Sequence, residues 1–239
     1  MVNLKRIKVI AFLGVFLAFG VVSLGAWTRL VDAGLGYPDW PGCYGFAIFP
    51  MSEAEIAQAN ELYPERKFEL EKAVPEVVHR YFAGFLGLLI IGLFGLSLYL
   101  KPFNSLVTKL TGALVLLVLA QSTFGYLTVS LKLWPQVVTM HLLGGFATTT
   151  LLFLTYMKLK DLDTGSSNSL MISKRSSNLL NFAFPVLIAQ IILGVWLSSN
   201  YAAFACPDFP LCQGQILPDT NFQMGFNFMQ SIGPDYLGG

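Results

Sequence analysis

Charge is what this sequence has least of. Asp, Glu, Lys and Arg make up only 12% of its 239 residues, about half the share usual in a soluble domain. Hydrophobic residues make up 54%. So little charge over so much apolar chain excludes an ordinary soluble globular protein. Fifteen basic residues offset fourteen acidic ones, so there is no basic surplus to hold nucleic acid. Histidine is scarce, at two, and so is cysteine, at three. With no local cluster of the two types, a zinc site is poorly supported.

Long apolar runs are what the chain does have. Five are long enough to cross a bilayer, at residues 9–30, 77–100, 106–131, 136–157 and 178–199, since a span needs about 20 apolar residues. Lipid offers the backbone no hydrogen-bond partners, so continuous runs of this kind are helices. The fold class is therefore an all-α membrane protein surrounded by lipid. The first run is too long for a signal peptide and lacks a small-residue cleavage pattern, so it reads as a retained anchor. Lys5, Arg6, Lys8, Lys101, Lys109, Lys158, Lys160, Lys174 and Arg175 all fall on one side of the membrane. The bias of Lys and Arg towards the cytoplasm puts the N-terminus inside. The acidic loop 31–75 is then outside, which in a bacterium means the periplasmic face of the inner membrane. Within it, Ser52-x-x-Glu55 is a capping box, predicting a short helix to about Tyr63 that Pro64 ends.

One segment is written twice. "LGAWTRLVDAGLGYPDWPGCYG" lies over "LGVWLSSNYAAFACPDFPLCQG" without a gap, and Leu24, Gly25, Trp27, Ala33, Pro38, Asp39, Pro41, Cys43 and Gly45 meet identical residues. Two similar helix exits would explain less of this than a duplicated four-helix unit in parallel repeat. That predicts a first unit over 1–160, a cytoplasmic linker over 161–177, and a second unit opening at 178–239. The architecture is a four-helix transmembrane bundle plus a fifth span that opens an incomplete second repeat. The chain stops where a second span of that unit would begin, so it reads as truncated or as a fragment.

Cys206 and Cys212 are six apart on the outer side, where disulfides persist. A disulfide between them is expected, the alternative being two free thiols. Cys43 has no local partner, because Tyr37 stands at the position matching Cys206.

Both histidines lie near the outer start of a span. Pro75 and Pro135 are placed to open those helices. His79 and His141 follow them by four and six residues, a depth difference of about 3 Å. Ala83 and Gly145 sit four residues on, stacked on the same faces, leaving flat slots. Two such faces can clamp a haem between axial imidazoles; the alternative is a pair of satisfied interfacial histidines. Glu76 and Arg80 share the face of His79. Arg80 could hold a haem propionate and Glu76 act as acid or base, or the two could simply form a helix ion pair. Arg29 is a second propionate candidate, or an interface anchor.

Glu76-Val-Val-His79-Arg80 resembles the E-x-x-H-R signature of the haem A synthase family. "TRLVDAGLGYPDWPGCYG" is similar to that family's first outer loop, "CPDFPLCQG" to its second-half loop, and "HLLGG" at His141 to its fourth-span histidine. The resemblance covers the whole chain. It implies an eight-helix protein of two halves that oxidises a methyl group of haem O to the formyl group of haem A, for cytochrome oxidase assembly. His79 and His141 would then ligate the iron of the substrate haem, and Glu76 would be the catalytic carboxylate. Haem B would belong to the absent second half, and a haem O synthase would supply the substrate. A homo-oligomer is left open.

Other functions compete with this one. They are a bis-histidine b-type membrane cytochrome, a non-catalytic haem-binding assembly protein, and a thiol–quinone redox protein using Cys206 and Cys212.

Overall fold

The computed structural model describes residues 4–100, 103–165, 173–208, 210–229 and 231. Lys101, Phe209 and residues 166–172 of the expected linker lie outside the described residues. The elements in order are α1 (Leu4–Leu30), α2 (Glu53–Leu62), α3 (Leu70–Leu98), α4 (Ser105–Ser130), α5 (Pro135–Thr164), α6 (Lys174–Ser199), a 3-10 turn (Ala202–Ala205) and α7 (Phe222–Gly225). All but α2 and α7 among the α-helices are long and apolar enough to cross a membrane.

α1 packs on α3 and α5, and α4 packs on the same two, so these four helices close a ring with α6 docked outside on α5. α3 and α5 are diagonal and do not pack on each other among the described residues. The buried stripe of α1 is Ile7, Ala11, Gly14, Ala18, Val21 and Thr28. Its spacing alternates four and three residues, the pattern of a left-handed helix seam, and its small residues let backbones approach closely, as membrane helices require. At the inner end the ring is pinned by an ion pair between Lys8 and Asp163. Threonines on the buried face of α5 return their hydroxyls to their own helix, Thr148 to the Gly144 carbonyl at 2.8 Å and Thr155 to that of Leu151 at 2.7 Å. No donor is left unpaired there.

Two expectations need correction. Pro75 does not open its helix, because α3 starts at Leu70 and Pro75 lies inside it. The proline forfeits one bond, to the Glu71 carbonyl, and that turn carries exposed Glu71, where water can replace it. Likewise α5 continues through Lys158, Lys160 and Asp161 to Thr164, capped by left-handed Gly165 (φ 64°), so the linker is shorter than expected. Pro135 does stand at the start of α5, and the Ser52–Glu55 capping box closes α2 in both directions.

Candidate haem-binding site

The outer loop is packed rather than loose. Tyr37, Cys43 and Tyr44 are each 1% exposed. The Tyr44 ring meets Tyr37, Tyr63 and Phe68 edge-on at 6.4, 5.5 and 5.7 Å, and its hydroxyl donates to the Lys67 carbonyl at 3.1 Å. Asp39 folds the turn by accepting the backbone N–H groups of Tyr44 and Gly45 at 2.6 and 2.9 Å. Asp208 does the same for Gln213 and Gly214, both at 2.7 Å. Bonds from Gly214 and Gln213 hold the Asp208 carboxyl below its usual range. The second turn carries a disulfide between Cys206 and Cys212. In the first, the Tyr37 hydroxyl instead donates to the Ala73 carbonyl of α3 at 2.5 Å, and Cys43 is a buried free thiol. Burial pushes that thiol up to about 12 and also raises the Tyr37 phenol.

This loop is docked on Glu76 and Arg80. Gly36 lies so close to α3 that a β-carbon there would be 2.5 Å from the Lys72 carbonyl oxygen and 3.1 Å from Glu76 Oε2. Glu76 is 5% exposed and pairs with Arg80 through Oε1. Its Oε2 is buried beside the Gly36–Tyr37 backbone and makes no hydrogen bond of ordinary geometry among the described residues. Arg80 also donates to the carbonyls of Asp39 and Gly42 at 3.3 and 3.1 Å, with its guanidinium 4.9 Å from the Tyr37 ring centre. The arginine thus fastens the loop to α3 at the level of the carboxylate.

One turn inward from Glu76 lies His79. Its Nδ1 is 3.1 Å from the Val21 carbonyl. A carbonyl can only accept, so Nδ1 carries the proton and Nε2 keeps a free lone pair, the arrangement in which a histidine is oriented as a metal ligand. The Cε1 edge of the ring abuts Gly25, where a β-carbon would be 3.0 Å from Cε1. His141 comes from the diagonal helix α5, beside Gly125 of α4, and its Nδ1 is buried without a partner.

The packing around them is distinctive. The inner core ends at Val21, Leu86, Leu114 and Leu152, and a second core fills the outer loop. Between them every helix of the ring has a stretch with no buried residue: 22–27, 78–85, 115–130 and 140–147. A belt with no fully buried residue on any of the four helices, and with a histidine on each of two diagonal ones, fits a flat macrocycle held by both imidazoles. Glu76, His79, Arg80 and His141 are gathered at this belt. Arg29 makes its contacts elsewhere, with the Ser198 carbonyl and 3.1 Å over the Tyr201 ring. Trp40 pairs with Tyr126 at 5.6 Å over the outer end of α4.

Sequence reading did not reach Gly36, Gly25, the Val21 carbonyl, or Gln121, whose amide is packed on Gly144. Only Gln121 left a signal, as a lone amide in an apolar run.

Residues 8–233 match the family described as "Cytochrome oxidase assembly protein". The chain is 41% identical over 216 residues to the haem A synthase of Shewanella oneidensis, covering 90% of this chain and 64% of that protein. It is 24% identical over 217 residues to that of Halalkalibacterium halodurans, covering 89% and 66%, and 28% identical over 236 residues to that of Wolbachia sp. subsp. Brugia malayi, covering 91% and 70%. The chain thus spans just under two thirds of the length of the first two. No solved structure matches it. With nearly its whole length inside the matched region, this chain belongs to the cytochrome oxidase assembly protein family.

Proposed function

We propose that this chain carries the substrate-binding half of a haem A synthase, a bacterial inner-membrane oxidoreductase that converts the methyl group of haem O to a formyl group for cytochrome oxidase. The observation that carries the reading is the belt without a fully buried residue, with His79 and His141 on its diagonal helices and His79 already fixed with Nε2 free. The names of the relatives support the reaction. In this reading His79 and His141 hold the substrate haem. Glu76, one turn outward, keeps a buried oxygen unbonded among the described residues and would accept the proton of a water that adds to the methyl carbon, the two electrons of each oxidation leaving to an external electron acceptor. Arg80 holds the outer loop over the site and keeps Glu76 in place. The chain is the first of two duplicated units together with the opening of the second, and haem B belongs to the remainder. The N-terminus is cytoplasmic and the site faces the periplasm, where a haem O synthase in the same membrane delivers substrate.

The Glu76–Arg80 ion pair favours a second reading, a haem binder in which that pair is purely structural.

Haem extraction tests the proposal. Membranes expressing the chain are supplied with haem O, and every released haem is identified, with His79→Ala as control. Haem A or a hydroxylated intermediate supports the enzyme, with Glu76→Ala binding haem but making neither. Haem O alone, lost in the control, supports the binder. No haem in either sample overturns both.

A further inference from the structure

The apolar run of α4 is interrupted by one amide, Gln121, and the helix carries a single charge, Lys109, near its inner end. A polar side chain at membrane depth is costly without a partner and is by default a functional residue. Gln121 lies against α5, where a β-carbon on Gly144 would meet its Nε2 at 1.8 Å. Its amide makes no hydrogen bond with any described residue.

Its position relative to His141 is fixed by two glycines. Gly125, four residues on from Gln121 and on the same face, stands beside the His141 ring, where a β-carbon would be 3.6 Å from Cε1. Gly144 is three residues past His141 on α5. So α4 presents a glycine at the level of the imidazole and an amide about 6 Å further in. The two ends of the belt therefore differ. The outer end has Glu76, Arg80 and the loop carbonyls. The inner end meets a core of Val21, Leu86, Leu114 and Leu152, and Gln121, packed on Gly144, is the amide near that depth.

A haem held by both histidines, its propionates towards the aqueous outer side, turns its opposite edge to the depth of Gln121. In haem O that edge carries a hydroxyethylfarnesyl chain, whose hydroxyl is the polar group there. Haem B has a vinyl group in its place. We propose that Gln121 determines substrate specificity by hydrogen-bonding this hydroxyl, so that the site takes haem O in preference to haem B. This rests on the haem O reading above. A site built to bond a hydroxyl rejects the analogue lacking it, because the amide is then left unpaired. Gly144 is required because a side chain there would displace the amide.

The test supplies equal haem O and haem B to membranes expressing the full chain, its Gln121→Leu variant and its Gly144→Ala variant. After purification, the bis-histidine spectrum gives total haem and chromatography of the extract gives the haem O to haem B ratio. Wild type is expected to favour haem O. Gln121→Leu should lower the ratio about five- to tenfold, the worth of one net hydrogen bond, with the spectrum unchanged. Gly144→Ala should move the ratio the same way, which keeps the test alive if one variant folds poorly. An unchanged ratio in both variants overturns the assignment. Wild type binding both haems equally with a normal spectrum overturns the specificity role and leaves the haem site standing. Wild type binding neither overturns the haem reading itself.

Discussion

Replacing Gly36 by alanine tests how the outer loop serves Glu76. The new β-carbon would be 2.5 Å from the Lys72 carbonyl oxygen and 2.9 Å from its carbon, where ordinary contact begins at 3.4 Å. Both atoms are backbone of α3, so the loop must retreat by roughly 0.9 Å, the shortfall from that contact distance. Overpacking of this kind costs about 1–3 kcal/mol. The retreat also draws the Asp39 and Gly42 carbonyls away from Arg80, whose bonds at 3.3 and 3.1 Å have little length to spare. For a chain of this size, about 2 kcal/mol corresponds to a Tm lower by roughly 4–8 °C. Gly84→Ala on the same helix is the control, since a β-carbon there meets nothing within 4 Å, and removing a helical glycine gains up to about 1 kcal/mol. Thermal melting in detergent, with protease cleavage of the outer loop as a second readout, compares the two. Gly36→Ala melting with wild type, its loop equally protected, would refute the idea that close loop contact holds the Glu76–Arg80 pair.

Other outcomes follow from the same geometry. His79→Ala and His141→Ala should each abolish the low-spin bis-histidine spectrum while leaving helix content by circular dichroism unchanged. Alkylation of Cys43 should keep accelerating with pH towards about 12 rather than levelling near 9, because burial raises the thiol; the rate against pH in folded protein measures this. The same shift makes loop stability complete below pH 9 and lost as pH rises towards 12, the folded loop holding its proton longer than the unfolded chain; loop proteolysis against pH reads it. For Asp208, whose carboxyl is held low by Gly214 and Gln213, the sign reverses: its support of the second turn is present above about pH 4 and fades below. Asp163→Asn should lower Tm by a few degrees, since the pair with Lys8 is largely shielded, the two side chains being 16% and 26% exposed.

The spans were legible because hydrocarbon thickness imposes a length on apolar runs. Helix ends were not, because hydropathy marks where lipid stops rather than where backbone hydrogen bonding stops. Hence α5 runs four charges past its apolar run, and α3 begins before Pro75. The capping box was readable because both its bonds are local, and so was the Cys206–Cys212 pairing. The histidine pair was legible as one histidine near the outer start of each of two spans, but its depth was counted from two prolines of which only Pro135 opens its helix, and its diagonal placement came only from the packing of the ring. Gly36 against Lys72 and Gln121 against Gly144 join residues far apart in sequence, where a small residue matters only for what approaches it. Arg29 was a propionate candidate because an arginine at a helix exit offers a fork of donors. Its partners lie in the other copy of the motif, which nothing local to it announces.

Those partners have a consequence for how the molecule arose. Arg29 bonds to Ser198 and Asp32 to Tyr201, and in both cases the two residues are 169 positions apart, the offset that superposes the two copies of the motif. Each residue therefore touches its own counterpart. In an assembly of identical subunits, that happens beside the rotation axis, which for two subunits is a two-fold. If the two units arose by duplication, the ancestor was a single four-helix protein that paired with itself through this helix exit. Positions 29 and 32 are then remnants of a dimer interface, where fusion into one chain released each pair from having to be identical and allowed an arginine to settle over a tyrosine.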